Sequence, residues 1–390
     1  MAKKKWIKRR HKFVYWFFGG IFRAFSKSKY NYTTKKTNIK GPCLIMCNHV
    51  ATWDPIFVAI AFKCPVYIVA MDDMFNRKYS PLLEYLVAPI PKKKSAIDMD
   101  AIRTCIQVMK EGGAVCIFPE GNRVLSGAQW PMTEAIAKFA KIIKYPIVFF
   151  NVEGGYGVDP RWGRTVRKGK MRGFVRSVLD PSEYMKMSNE ELHRVICENL
   201  TVDDPSSGEK FKSKYRAENI ERVLYRCPHC GKAQTIVSEG VNFKCTNCNS
   251  VWEYTEDLHI APADKFSTIH EWYDWERAET ERIARNYLGT IYEDENIEFY
   301  KSIRFKKKQK IMDGRLSVTA RGLTVTGRTS IAYFPFADIE GMALIHRDKF
   351  DFYYKGQTFQ IKGDDRFCSI KYIHLLDAIK NIEKEKKSSK

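Results

Sequence analysis

The chain lacks an apolar run long enough to cross a bilayer as a helix, which takes about 20 residues. Its nearest approach, Phe13 to Phe25, has thirteen. Acid is missing from one end: residues 1 to 40 hold thirteen Lys and Arg and no Asp or Glu. No small-residue cleavage site follows the Phe13–Phe25 stretch, which argues against a secretory signal peptide despite the basic start. There is no internal repeat. Eleven cysteines, an odd number in a chain this long, make a poor disulfide framework.

What is present is globular in character. Hydrophobic residues at 44% and charged residues at 28% argue against wholesale disorder and against a multi-span membrane protein. A length of 390 residues predicts two or three domains. Lys and Arg outnumber Asp and Glu by 66 to 45, a net charge of +21, and a surplus of that size predicts an anionic partner: nucleic acid, lipid headgroups, or acidic substrates and carriers. The basic end flanks Phe13–Phe25, the arrangement by which an interfacial helix meets headgroups with its cations and sinks Trp and Phe into the acyl boundary. Residues 1–30 are therefore expected to anchor the chain monotopically, on the cytoplasmic face of the cell membrane. A helix packed on the protein's own core is the alternative.

Four cysteines stand apart. Cys227-Pro-His-Cys230 and Cys245-Thr-Asn-Cys248 are two C-x2-C knuckles with fourteen residues between them, close to the spacing that brings four thiolates round one tetrahedral zinc. Four sulfurs leave no open position for water, so the site reads as structural. Gly231, Asn249 and Ser250 suit the turns, Phe243 and Trp252 can cover the metal, and His229 reads as a turn residue. A zinc ribbon on a basic chain invites a nucleic-acid reading. The local charge argues against it, because Glu239, Glu253, Glu256 and Asp257 accompany Lys232 and Lys244.

The first two hundred residues alternate apolar runs with helical patterns, as an α/β domain with a mostly parallel core sheet requires. Strands are expected over Cys43–Cys47, Val66–Ala70, Ala114–Phe118 and Ile147–Val152. Helical spacing joins Ile102, Ile106, Val108 and Met109, and again Ile136, Phe139, Ala140 and Ile143. Ligands of such sheets gather at the carboxyl ends of strands, and two polar clusters fall there. In Asn48-His-Val-Ala-Thr-Trp-Asp54, Asp54 can hold one nitrogen of His49 while the other faces a substrate. No serine or cysteine nucleophile is dictated, so the imidazole could deprotonate the substrate itself. In Phe118-Pro-Glu-Gly-Asn-Arg123, Gly121 lets backbone approach a ligand and Arg123 offers a fork of donors that matches phosphate. Glu120 can accept from hydroxyls or orient that arginine.

Together, in this order, the clusters resemble those of the glycerolipid acyltransferase family, which includes the bacterial 1-acylglycerol-3-phosphate acyltransferases. Its motifs run N-H-x-S-x-x-D, a basic stretch, F-P-E-G-T-R-S, then V-P-I-V. His49 and Asp54 match the first motif's catalytic pair; Phe118, Pro119, Glu120, Gly121 and Arg123 match the third; Tyr145-Pro-Ile-Val148 looks like the fourth. Pro91-Lys-Lys-Lys-Ser95 approximates the second, with Lys93 nearest its arginine. Ala51, Asn122 and Val124 replace the family's serine, threonine and serine. The resemblance implies that His49 deprotonates a lysophospholipid hydroxyl, that Asp54 fixes its tautomer, and that Arg123, aided by Lys92, Lys93 and Lys94, holds the acceptor phosphate while Glu120 positions glycerol hydroxyls. The product would be phosphatidic acid when the acceptor is 1-acyl-glycerol-3-phosphate. The acyl donor stays open between acyl-CoA, acyl-carrier protein and acyl phosphate. Transfer to another amphipathic alcohol or amine, and a membrane-docked binding protein without activity, are the alternatives.

The expected organisation is an anchoring segment over 1–30, an acyltransferase domain over 31–215, a zinc ribbon over 220–256, a helical linker over 257–294, a β-rich module over 295–382 and a disordered tail over 383–390. Arg164, Arg167, Lys168, Lys170 and Arg172 form a basic stretch that reads either as a dock for an acidic acyl carrier or headgroups, or as a solvated hairpin. The linker's charged helix spans Asp264 to Tyr287 with Trp272, Trp275 and Ile283 inward. Strands over Ile303–Lys307, Leu316–Thr319, Leu323–Thr326, Ala332–Phe336, Phe350–Tyr354 and Thr358–Lys362, closed by a helix over Ile370–Ile379, resemble a pleckstrin-homology-like or GRAM-like barrel.

Overall fold

A computed structural model describes residues 5–71, 75, 80–92, 98–303 and 308–388. The chain forms two units, Met1–Pro160 with Val166–Lys212, and Arg161–Thr165 with Ser213–Lys390.

The first unit runs α1 (Arg9–Tyr30), β1 (Tyr32–Thr34), β2 (Cys43–Cys47), α2 (Asp54–Ala61), β3 (Val66–Met71), α3 (Ser80–Val87), β4 (Ile90–Lys92), α4 (Met99–Lys110), β5 (Ala114–Ile117), α5 (Ala135–Ile143), β6 (Ile147–Glu153), α6 (Gly155–Val158), β7 (Met171–Leu179), α7 (Pro181–Tyr184) and α8 (Asn189–Leu200). The four expected strands are β2, β3, β5 and β6, each within a residue of the expected bounds. The strands form one sheet in the order β1-β7-β6-β2-β5-β3-β4. β2 lies between β5 and β6 and is parallel to both, with Leu44 opposite Val115 and Ile147. Such a strand is covered on both faces, so its sequence is continuously apolar and all five residues of β2 are buried. The sheet is mixed because β7 returns antiparallel to β6. On one face Leu44, Met46, Val115, Ile117 and Phe149 pack with Val108 of α4, Ala140 of α5 and Ile196 of α8. The Asp98 carboxylate caps α4 by accepting from the Asp100 and Ala101 amides at 3.1 Å.

Helix α1 has two faces. One is packed on this unit: Tyr15 donates to the carbonyls of Ala59 and Phe62, and the Arg23 guanidinium reaches the carbonyls of Thr34 at 3.0 Å and Ile60 at 2.6 Å. The other exposes Phe13, Trp16, Phe17 and Ile21, spaced three and four apart. The helix is thus part of the first unit. Among the described residues no helix is long and apolar enough to cross a membrane.

In the second unit β8 (Ile236–Glu239), β9 (Asn242–Cys245), β10 (Val251–Tyr254) and β11 (Ile260–Ala261) make an antiparallel sheet in the order β11-β10-β9-β8. Then come α9 (Ile269–Asn286), β12 (Tyr292–Ser302), β13 (Gln309–Thr319), β14 (Gly322–Gly327), β15 (Ile331–Pro335), β16 (Ile339–Ile345), β17 (Lys349–Tyr354), β18 (Gln357–Lys362) and α10 (Ile370–Ser388). The seven strands form a second antiparallel sheet in the order β15-β14-β13-β12-β18-β17-β16. Phe299, Phe334, Phe352 and Phe359 stack in its core, ring centroids 4.9–6.3 Å apart.

Several expectations are corrected here. The module's first strand is β12, which starts at Tyr292 near the end of the expected linker and runs to Ser302; of the expected Ile303–Lys307 strand, residues 304–307 lie outside the described residues. β16 was not anticipated. The buried face of α9 carries Glu276 and Thr280 with Trp272, whereas Trp275 and Ile283 are half-buried. Glu276 is tolerated there because it accepts the backbone amides of Tyr225 (2.6 Å) and Arg226. The tail over 383–390 is, as far as Ser388, the end of α10. Ile382 is buried and Arg285 reaches Glu385 at 2.9 Å, which holds those turns. In the basic stretch after Arg161, Arg167 is buried, while Arg164, Lys168, Lys170 and Arg172 are exposed, Lys170 pairing with Glu209 at 3.1 Å and Arg172 with Glu153 at 2.5 Å.

Candidate active site

Because β5, β2 and β6 are neighbours and parallel, the turns that follow their carboxyl ends meet. The turn after β2 carries His49, the turn after β5 carries Glu120 and Arg123, and the turn after β6 carries Gly154. Asn48 ties the first to the third, donating to the Val152 carbonyl at 2.9 Å and accepting its amide at 2.8 Å.

Asp54 is the first residue of α2 with Pro55 next, a favourable start in which the carboxylate meets the positive helix end. It is fully buried, and its Oδ2 accepts from His49 Nδ1 at 2.8 Å, from the Val50 amide at 2.7 Å and from the Ala51 amide at 2.9 Å. With Nδ1 donating to the carboxylate, Nε2 is the atom left to exchange a proton. The Phe118 ring lies 4.5 Å from the imidazole and fixes its plane, and the His49 side chain retains 22% of its exposure. A buried carboxylate, an oriented imidazole and an open edge form a base with an orienter.

Arg123 stands beside this pair. Its Nη1 donates to Thr52 Oγ1 at 2.8 Å and its Nη2 to the Asp159 carbonyl at 2.9 Å, with the Asp159 carboxylate 3.5 Å away. Trp130 Nε1 donates to the Arg123 carbonyl at 2.7 Å. Glu120 takes a different place from the one expected. It is buried, its two oxygens accept the His49 amide at 2.9 Å and the Trp130 amide at 3.0 Å, and it ties two turns together rather than orienting Arg123. Burial pushes its carboxyl up to about 8, against the pull of those two amides. Gly121 is required by its φ of +67°; no atom lies within 4 Å of where its Cβ would sit. Lys92 ends β4, exposed and three strands from β2, roughly 14 Å at 4.8 Å per strand. Lys93 and Lys94 lie outside the described residues.

Thr52, Trp130, Asp159 and Asp204 were not anticipated. The buried Asp204 accepts the amides of Gly154 (2.7 Å), Tyr156 (2.9 Å) and Gly157 (3.3 Å), and burial raises its carboxyl to about 6.

In the second unit the sulfurs of Cys227, Cys230, Cys245 and Cys248 all lie within 4.8 Å of one another, and no other described group of His, Cys, Asp or Glu does likewise. Cys227 and Cys248 are 3.6 Å apart and Cys230 and Cys245 3.7 Å. Sulfurs about 2.3 Å from one tetrahedral ion stand roughly 3.8 Å apart, so the residues fit zinc. Gly231 and Asn249 take the left-handed conformation the knuckles need. The buried rings of Phe243 and Trp252 stack beside them, centroids 5.5 Å apart. His229 is turned away, pairing with Ser250 and Asp264 at 2.8 Å each.

Residues 28–152 match the family model described as Acyltransferase. The 1-acyl-sn-glycerol-3-phosphate acyltransferase of Borreliella burgdorferi is 32% identical over 95 residues, 24% of this chain and 36% of that protein. The protein of the same name from Bacillus subtilis is 23% identical over 159 residues, 40% of this chain and 76% of that one. The chain thus spans about a third of the Borreliella relative and three quarters of the Bacillus one. The crystal structure of the 1-acyl-sn-glycerophosphate (LPA) acyltransferase from Thermotoga maritima is similar with a TM-score of 0.39 and 20% identity, covering 49% of this chain and 78% of that one. The matched segment is an acyltransferase domain, and it holds both His49–Asp54 and Phe118–Arg123. The similarity of this segment supports a place for it in the glycerolipid acyltransferase family.

Proposed function

We propose that the protein transfers a fatty acyl group from an activated thioester to the free hydroxyl of a lysophospholipid, with 1-acyl-glycerol-3-phosphate the first acceptor to test and phosphatidic acid its product. The observation that carries this reading is the His49 Nδ1 to Asp54 Oδ2 contact of 2.8 Å, beside Arg123. His49 Nε2 takes the proton of the acceptor hydroxyl as its oxygen attacks the thioester carbonyl. The tetrahedral adduct expels the thiolate, which recovers the proton from the imidazolium. One ester forms, one thioester breaks, and no acyl-enzyme is needed. Arg123, a planar donor on a rigid turn, binds the acceptor phosphate. A second acceptor class, another amphipathic alcohol or amine, is favoured by one observation: Arg123 already has the Asp159 carboxylate beside it and Lys92 is strands away.

The exposed Phe13, Trp16, Phe17 and Ile21 face of α1, with Leu82 and Tyr85 of the adjoining α3, supports docking on the cytoplasmic membrane surface, from which both lipids can enter. The four thiolates hold a structural zinc in a ribbon, and the seven-stranded sheet closed by α10 is a PH- or GRAM-like module. Acyl-CoA, acyl-carrier protein and acyl phosphate remain the donors to compare. Donor consumption by purified protein, with and without lysophosphatidate, tests the reading: acceptor-dependent release of thiol from a thioester supports it, release of phosphate from acyl phosphate would replace the thioester as donor, and the absence of any acceptor-dependent release from wild type overturns it.

A further inference from the structure

The geometry points to Asp204 as a positioning residue for Arg123, acting through the turn from Gly154 to Asp159; this rests on the role proposed above for Arg123. The turn cannot hold its shape alone. α6 has four residues, far fewer than an isolated helix needs. Asp204 meets its amino end with a buried carboxylate that accepts three of its amides at 2.7–3.3 Å, from about fifty residues along the chain. That end has no slack: a Cβ on Gly154 would lie 2.0 Å from the Lys170 carbonyl, and one on Gly155 would lie 2.2 Å from Cγ2 of Val50, the residue after His49. The turn is thus pressed against the catalytic loop on one side and pinned by Asp204 on the other.

Its far end reaches the guanidinium. The Asp159 amide donates to the Gly155 carbonyl at 2.9 Å, and Asp159 in turn offers Arg123 both its carbonyl and its carboxylate. A displacement at Asp204 is therefore passed through one turn of backbone to Arg123. Asp204 also lines a cavity of about 10 Å³ together with Glu120, Asn48, Gln129 and Tyr156, room for about one water. The turn after β2 through Asn48, the turn after β5 through Glu120 and the turn after β6 through Tyr156 all border that same void. The raised titration of both carboxyls accords with their burial. A residue that merely stabilised the fold would change the melting temperature and leave substrate affinity alone.

The experiment is a cycle of Asp204→Asn and Arg123→Lys in the full chain, read as kcat and KM for acceptor and donor, with melting temperature alongside. Asp204→Asn is expected to raise the acceptor KM about tenfold, leave the donor KM unchanged and hold kcat within about threefold; in the Arg123→Lys background it should add less than about twofold. Asp203→Asn, at the exposed neighbour, is expected to behave as wild type. If Asp204→Asn does not fold, Asp204→Glu, which keeps the charge on a longer arm, is read by the same criteria. Equal penalties in both backgrounds, or a fall in kcat at constant acceptor KM, overturn the inference while leaving the proposed function standing. A wild type without acceptor-dependent transfer overturns both.

Discussion

Oδ2 of Asp54 is a shared acceptor: His49 Nδ1 reaches it at 2.8 Å and the amides of Val50 and Ala51 at 2.7 and 2.9 Å. One atom thus orients the base and closes the turn that carries it. His49→Ala is expected to lower kcat by about 10²- to 10⁴-fold with little change in acceptor KM, since it removes only the proton acceptor. Asp54→Asn should cost a similar factor and also lower the melting temperature, because a neutral amide weakens the contacts at the start of α2. Steady-state kinetics with thermal melts separate the two; a His49→Ala enzyme as active as wild type removes the assignment.

Arg123 differs in kind, because its fork is spread over Thr52 and Asp159. Lysine keeps the charge and loses the fork. Arg123→Lys should therefore raise the acceptor KM by about tenfold with a smaller change in kcat, and the penalty should vanish for an acceptor that lacks a phosphate. An equal penalty for both acceptors would show that Arg123 shapes the loop without reading the headgroup.

How much of this was legible in the sequence follows from distance along the chain. β2, β5 and β6 were readable because strands buried on both faces are unbroken apolar runs, and β3 because it is an apolar run although only its first two residues are buried. His49 and Asp54 were readable because their partnership closes within one turn, and the four cysteines because two short knuckles fix their spacing. Asp159 and Asp204 meet residues 36 and 50 positions away through a backbone carbonyl and a backbone amide, groups that nearly every residue carries, so no residue pattern announces them. Glu120 was found but given the wrong partner for the same reason: its acceptors' mates are amides. β12 was hidden by its acids, since only Ile297, Phe299 and Tyr292 of Tyr292–Ser302 are buried. β16 lacks a clean alternation of buried and exposed residues and begins with a register shift.

Glu120 makes stability depend on pH in a direction opposite to that of a salt-bridged acid. Below about pH 4.5 its carboxyl is protonated in folded and unfolded chains alike, and it adds no slope. Between 4.5 and about 8 the folded chain keeps a proton that the unfolded chain has released, so this group's contribution falls as pH rises; above 8 the loss is complete. Glu120→Gln removes that slope. It also leaves one of two amides without an acceptor, which lowers stability by roughly 1–3 kcal/mol at every pH. The melting-temperature deficit of Glu120→Gln should therefore shrink steadily from pH 5 to pH 8, and a deficit that stays constant or grows would show that the carboxyl is ionised throughout.

For the cysteine cluster the expected stoichiometry is about one zinc per chain, with no disulfide, by metal analysis and thiol titration. Binding energy at such sites is folding energy. Cys245→Ser, or exhaustive chelation, should lower the melting transition of the second unit and raise protease sensitivity between Cys227 and Cys248. Metal-free protein with four titratable thiols and an unchanged melt would remove zinc from the description.

The exposed face of α1 has the sharpest physical test, because its two faces are separable. Trp16 and Phe17 are 77% and 52% exposed and point away from the contacts that Tyr15 and Arg23 make with the domain. Replacing both by glutamate leaves those contacts in place, so the melting temperature should hold. Binding to vesicles rich in anionic lipid should fall by at least about a hundredfold, since each buried aromatic contributes roughly 2 kcal/mol and each added acid repels the headgroups. Wild-type binding should also weaken with salt, because thirteen cations and no acid lie in the first 40 residues. Unaltered sedimentation of the double variant with vesicles would move the membrane contact elsewhere on the molecule. If lipid arrives through this face, the same variant should lose activity on vesicle-borne acceptor while keeping it on a short-chain, monomeric one, which separates delivery of the lipid from the chemistry at His49.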